Sequence, residues 1–190
     1  MELIPAALEV PNGALVALAG YLMVHLTQHA LTPHFHYGEE THGEAMVSRG
    51  IGVWALVGLL PHSFFDGVAI GGGFLRSSEL GALIVAGVLL HKIPTGVSLA
   101  SVMLASGNSR RRTLLALSGV ALATVLGAAL TPAITALVRY GLALAAGVTL
   151  YVAASNLVPE SQRERSGLVQ AGVFGGAATF LLARWALEVL

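Results

Sequence analysis

Two short stretches hold side chains whose types and spacing could do chemistry. In GLLPHSFFDGVAIGGG, His62 and Asp66 stand four residues apart, with Ser63 between them. In GVLLHKIPTGVSLA, His91 and Thr95 repeat that spacing, with Lys92 beside the histidine. On a helix, residues four apart share a face about one turn from each other. Each stretch therefore offers an imidazole with an oxygen one turn later. Two such pairs suit a tetrahedral or slightly larger nitrogen and oxygen site for a divalent cation, zinc or a related first-row metal. The chain has no cysteine, so no thiolate site and no disulfide framework is available. A plainer reading stands beside this one. A lone histidine in such a place is often a hydrogen-bonding group between helices, and Asp66 and Lys92 could neutralise each other as an ion pair.

Each pair lies beside a proline, Pro61 in one stretch and Pro94 in the other. Proline removes a backbone N–H and frees the carbonyl one turn earlier, leaving polar backbone at the same depth as the histidines. Interrupted helices near the middle of the bilayer are where secondary transporters hold their ions.

The elements that carry these residues are apolar throughout. Of 190 residues, 55% are hydrophobic and 11% charged, and the mean hydropathy is +0.78. A soluble domain carries about a quarter charged residues. Runs of about twenty apolar residues fall at 12–32, 49–74, 79–105, 113–138, 140–159 and 166–187. The fold class this predicts is all-α, a polytopic membrane bundle of about six transmembrane helices in one domain over 1–190. Residues 33–48 form its His-bearing loop. An ionisable group inside such a span is costly, which makes His62, Asp66, His91 and Lys92 functional candidates by default. The formal net charge is zero, so no basic field points to nucleic acid. The opening MELIPAALEVPNG lacks the basic region of a signal peptide.

Orientation follows from the arginines. Arg49, Arg110, Arg111, Arg112, Arg163 and Arg165 fall on one side, and Arg76, Arg139 and Arg184 on the other. The positive-inside rule puts the first side in the cytoplasm and both termini outside. Nine of the ten basic residues are arginine, a bias that points to a bacterial inner membrane. Gly67, Gly71 and Gly73, and later Gly172 and Gly176, would let helix backbones approach closely in lipid.

At the two chemical stretches the sequence resembles the ZIP (Zrt/Irt-like) family of divalent-metal transporters. Its core motifs are a His-[Asn/Ser]-x-x-[Asp/Glu]-Gly turn and, in the next helix, a His-x-x-Pro-x-[Glu/Gly] turn. They are matched here by His62-Ser63-Phe64-Phe65-Asp66-Gly67 and His91-Lys92-Ile93-Pro94-Thr95-Gly96. LYVAASNLVPE, from Leu150 to Glu160, resembles the family's penultimate helix. The loop with His34, His36 and His42 resembles its histidine-bearing cytoplasmic loop. The resemblance implies transport of zinc or a related divalent metal toward the cytoplasm, with the ion as cargo. Metal ligands would be His62, Asp66 and His91, helped by Ser63 and Thr95.

Two departures from the family pattern carry consequences. Many members have acidic residues where Lys92 and Thr95 stand, which gives a second metal site bridged to the first. Lys92 resembles the branch with His-Lys in this motif. Its ammonium could take the place of the second cation, leaving one metal site, or could pair with Asp66 and weaken the site that remains. The family also has eight helices, and the six here correspond to the last six. The segment Leu3–Glu9 resembles the end of the family's second helix and echoes Leu157–Glu160, as two inverted halves would. Met1 is accordingly expected to be an internal start, with an upstream segment absent and a homodimer among the ways to complete the bundle.

The remaining polar positions frame a path. His25 and His29 lie four apart at the end of the first span and could pass ions between site and loop; helix-end histidines are otherwise interfacial. Asn156 and Glu160 lie where the fifth span reaches the cytoplasmic side and could line an exit. No phosphate-binding loop is present, and neither an HExxH signature nor a serine nucleophile motif supports an enzyme. A membrane metal-binding or regulatory homologue that no longer transports, or a truncated transporter, is the alternative reading.

Overall fold

The structure is a computed structural model that describes residues 3–28, 49–163 and 167–189. Among these residues there are helices and turns and no strand. The order is α1 (Leu3–Leu8), α2 (Gly13–Leu26), α3 (Arg49–Arg76), α4 (Ser78–Ala105), α5 (Arg110–Leu130), α6 (Thr135–Tyr151), α7 (Val158–Arg163) and α8 (Gly167–Val189). Five of the described helices are long and apolar enough to cross a membrane, and Gly13–Leu26 is a shorter apolar helix. The chain is an integral membrane helical bundle, as the composition predicts. Its hydrophobic surface points outward, with Leu115, Leu122, Ile93 and Phe174 all exposed, because in lipid only backbone groups must be satisfied internally.

The tight turns follow from local sequence. A single residue, Ser77, joins α3 to α4, and its hydroxyl caps α4 by accepting from the Leu80 N–H at 3.1 Å. Ser109 caps α5 in the same way, accepting from the Arg112 N–H at 3.3 Å. Between α4 and α5 the chain reverses at Gly107, whose φ of 79° lies in the left-handed region that glycine adopts without a steric cost.

One boundary differs from the sequence reading. The charge of Arg139 suggests a turn there, with a span running to residue 138. The helix instead ends at Leu130, followed by a 3-10 turn at Thr131–Ala133, and α6 starts at Thr135. Pro132 has no N–H to continue α5 and sits at the start of that turn. Arg139 therefore lies inside α6, about one turn from its start. Pro61 and Pro94 lie inside α3 and α4, which continue through them.

Packing is organised around α3, which contacts α4, α5 and α6, while α1 and α2 lie against α6. Glycines set the spacing. A Cβ on Gly67 would overlap the Thr124 carbonyl of α5, and one on Gly127 would overlap the Phe64 carbonyl of α3. Gly20 and Gly147 make the reciprocal pair between α2 and α6. Such seams bring backbones together where there is no hydrophobic driving force between helices. Gly73 likewise packs on Gly81 and Ile84 of α4, but Gly172 and Gly176 of α8 face open space among the described residues. Among the described residues those two glycines do not form the close helix contact that the sequence suggests.

Candidate metal centre

The site begins with the one-residue α3–α4 turn, which folds the start of α4 back along the end of α3 as an antiparallel neighbour. His62 and Asp66 point from α3 toward α4 at the level where α4 carries His91 and Lys92. The result is convergence on one carboxylate oxygen. Asp66 Oδ2 lies 3.7 Å from His62 Nε2, 3.3 Å from His91 Nε2 and 2.7 Å from Lys92 Nζ. The candidate ligand atoms of His62, Asp66 and His91 all fall within 4.8 Å of one another. Two ligands at about 2.0–2.1 Å from a tetrahedral zinc stand about 3.3 Å apart. The two imidazole-to-carboxylate edges thus approach that spacing, and the wider His62–His91 edge would have to close around an ion.

The hydrogen bonds aim these groups. The Gly87 carbonyl can only accept, so His91 Nδ1–H, 2.9 Å away, is the donor. That leaves Nε2 facing Asp66 Oδ2, 3.3 Å away. A backbone acceptor on the far nitrogen is how metal-ligating histidines are oriented, and it aims Nε2 at the place where an ion held by Asp66 would sit. The only cationic side chain reaching Asp66 among the described residues is Lys92, which donates to Oδ2.

Burial is uneven. His62 is 8% exposed, Asp66 5% and Ser63 0%, while the His91 side chain is 44% exposed. The cluster is closed on the α3 side and open beside α4. His62 Nδ1 and Ser63 Oγ are buried without a hydrogen-bond partner among the described residues. An unsatisfied buried polar group is uncommon, and here two belong to consecutive residues, one of them a candidate ligand. The Thr95 hydroxyl donates to the His91 carbonyl at 2.8 Å, so its proton is committed to the helix backbone.

The other expected site residues are more scattered. His25 lies on α2, with its ring centroid 5.8 Å from that of Tyr151 on α6. Asn156 falls in a π-helical stretch, Val152–Leu157, that continues α6, and Glu160 falls in α7. His29, His34, His36 and His42 lie outside the described residues. A polar contact with no counterpart in the sequence reading ties α2 to this π-helical stretch: Tyr21 and Ser155 share a hydroxyl–hydroxyl hydrogen bond of 2.8 Å. Tyr21 also meets Tyr151 edge-on, with ring centroids 5.0 Å apart.

The ZIP zinc transporter family matches residues 24–184, the region that holds the His62, Asp66 and His91 cluster. The chain belongs to the ZIP zinc transporter family. Among curated relatives, the zinc transporter SLC39A7 of Rattus norvegicus is 32% identical over 171 residues, a match covering 80% of this chain and 35% of that protein. SLC39A7 of Homo sapiens is 33% identical over 138 residues, covering 65% of this chain and 29% of its own length. The zinc transporter GufA of Myxococcus xanthus is 32% identical over 166 residues, covering 80% of this chain and 63% of that relative. The chain thus spans about a third of the SLC39A7 proteins and somewhat under two thirds of GufA. No solved structure matches.

Proposed function

We propose that this ZIP family member is a secondary transporter that carries zinc, or a related divalent metal, toward the cytoplasm. The ion would pass through a single site formed by His62, Asp66 and His91. One observation carries the reading: two imidazoles and a carboxylate from adjacent membrane helices converge within 4.8 Å. Family membership and the zinc-transporter relatives support metal as the cargo. Zinc, iron and manganese all accept this ligand set, so the choice among them is a matter for measurement.

Lys92 is the tethered counter-ion of the site. Asp66 is the only carboxylate in the cluster among the described residues, and with Lys92 at 2.7 Å the charges of that pair cancel. An arriving cation competes with the ammonium for Oδ2, which keeps affinity low enough for release on the far side, as conduction requires. Thr95 contributes a neutral oxygen where a second site would need charge, which supports a stoichiometry of one. Ser63, buried next to His62 and with no hydroxyl partner among the described residues, is the candidate for an added oxygen ligand. His25, Asn156 and Glu160, with the loop residues 33–48, would line the cytoplasmic route. The arginine distribution favours both termini outside, and the predominance of arginine over lysine favours a bacterial inner membrane.

A second reading, a metal-binding ZIP homologue that does not transport, draws on the same Lys92–Asp66 contact and on the share of its relatives that the chain spans. Uptake of labelled zinc into proteoliposomes separates the two. Transport predicts uptake by the wild-type chain and background levels in His62→Ala/His91→Ala. Equal uptake by both proteins would remove transport from this site.

A further inference from the structure

At the end of the bundle opposite Arg110–Arg112, a groove of about 150 Å³ lies between α1, α3 and α6. Its walls are apolar, with Ala6, Val10, Leu75 and Leu142 among them, and two arginines stand on it, Arg76 and Arg139. Arg76 ends α3 and is paired with Glu9, just past the end of α1. Arg139 has no carboxylate within 4.0 Å among the described residues; it lies over the ring of Tyr140, 5.2 Å from the centroid. It also belongs to a membrane-spanning segment, Thr135–Ser155, rather than to a loop.

An arginine one turn inside a span is costly unless it reaches the interface or meets an anion. Two guanidiniums and one carboxylate leave the groove a single net positive charge, and its walls are hydrocarbon. A phosphate-bearing amphiphile meets both conditions, because its headgroup takes the guanidinium bidentately and its acyl chain covers the apolar wall. We propose that this groove is a binding site for the headgroup of an anionic phospholipid, held by Arg139 and, in part, by Arg76. The apolar lining favours a lipid over free phosphate. Glu9 competes with the lipid for Arg76 and sets its affinity. The site uses no residue of the metal centre.

The test is lipid binding to the full chain in detergent micelles, followed by native mass spectrometry with dioleoyl phosphatidylglycerol, dioleoyl phosphatidylcholine and glycerol phosphate as probes. Because a charge-assisted hydrogen bond to phosphate is lost, Arg139→Gln should weaken phosphatidylglycerol binding about tenfold. Glu9→Gln should tighten it severalfold, because Arg76 is then released. Arg110→Gln/Arg112→Gln, at the opposite end, should leave this dependence on Glu9 and Arg139 intact. The opposed signs separate a specific site from loss of folding, and Glu9→Gln alone still tests the proposal if Arg139→Gln misfolds. Three results would overturn it: equal binding of phosphatidylcholine, displacement of the lipid by glycerol phosphate at similar concentration, or no response to either substitution.

Discussion

Replacing Lys92 by methionine keeps the aliphatic stem and removes the ammonium, and the structure fixes the sign of the change in metal affinity. Nζ stands 2.7 Å from Asp66 Oδ2. At an effective dielectric of about 20, the gross attraction at that distance is about 6 kcal/mol. Desolvation of both groups offsets most of it, and a hydrogen bond between charged partners contributes about 1.5–3 kcal/mol net. A cation entering between Asp66 and the histidines must displace that interaction. Lys92→Met should therefore bind zinc between about tenfold and about 150-fold more tightly than wild type. Without metal the variant leaves Asp66 uncompensated in the membrane, so its apo form should melt earlier, and zinc should restore the difference. Isothermal titration in detergent gives affinity and stoichiometry together. The expected stoichiometry stays near one, since no second carboxylate faces the cluster among the described residues. Unchanged or weaker zinc binding would refute the competition. Two bound ions would show that the ammonium fills a complete second metal site.

Three further outcomes follow from the geometry. Asp66→Asn removes the one anionic ligand while keeping its shape, so zinc uptake in proteoliposomes should fall to background with the helical circular dichroism unchanged. Gly127→Val places a side chain into the Phe64 carbonyl of α3; overpacking costs about 1–3 kcal/mol or more, and thermal melting should show the loss with no metal present. Tyr21→Phe deletes the hydroxyl that meets Ser155. Interhelical hydrogen bonds in membranes average about 0.6 kcal/mol, so its melting temperature should drop only slightly.

The helical period makes much of the site legible from the amino-acid order alone. A spacing of four places His62 and Asp66 on one face, and the apolar runs around them require a membrane. The rotation of α4 against α3 has no such signal, and it decides whether Lys92 meets Asp66 or points away. It depends on Gly73 packing on Gly81 and on the one-residue turn at Ser77, a tertiary fit with no local signature. The end of α5 is misread when Arg139 is weighted as a loop charge over Pro132 as a helix breaker. Gly67 stands out in its motif and Gly127 does not, since a glycine seam becomes visible only when both partners are known. The π-helical stretch at Val152–Leu157 is equally hidden, because an i→i+5 pattern has no compositional mark.

Zinc K-edge absorption on the loaded wild-type protein tests most directly whether one ion is held between α3 and α4. The predicted shell is two imidazole nitrogens with carboxylate or water oxygens, four ligands in all at about 2.0–2.1 Å. In His91→Ala the shell should retain one imidazole, and in His62→Ala/His91→Ala none. A two-imidazole shell that survives in the double variant would place the ion elsewhere and contradict the account.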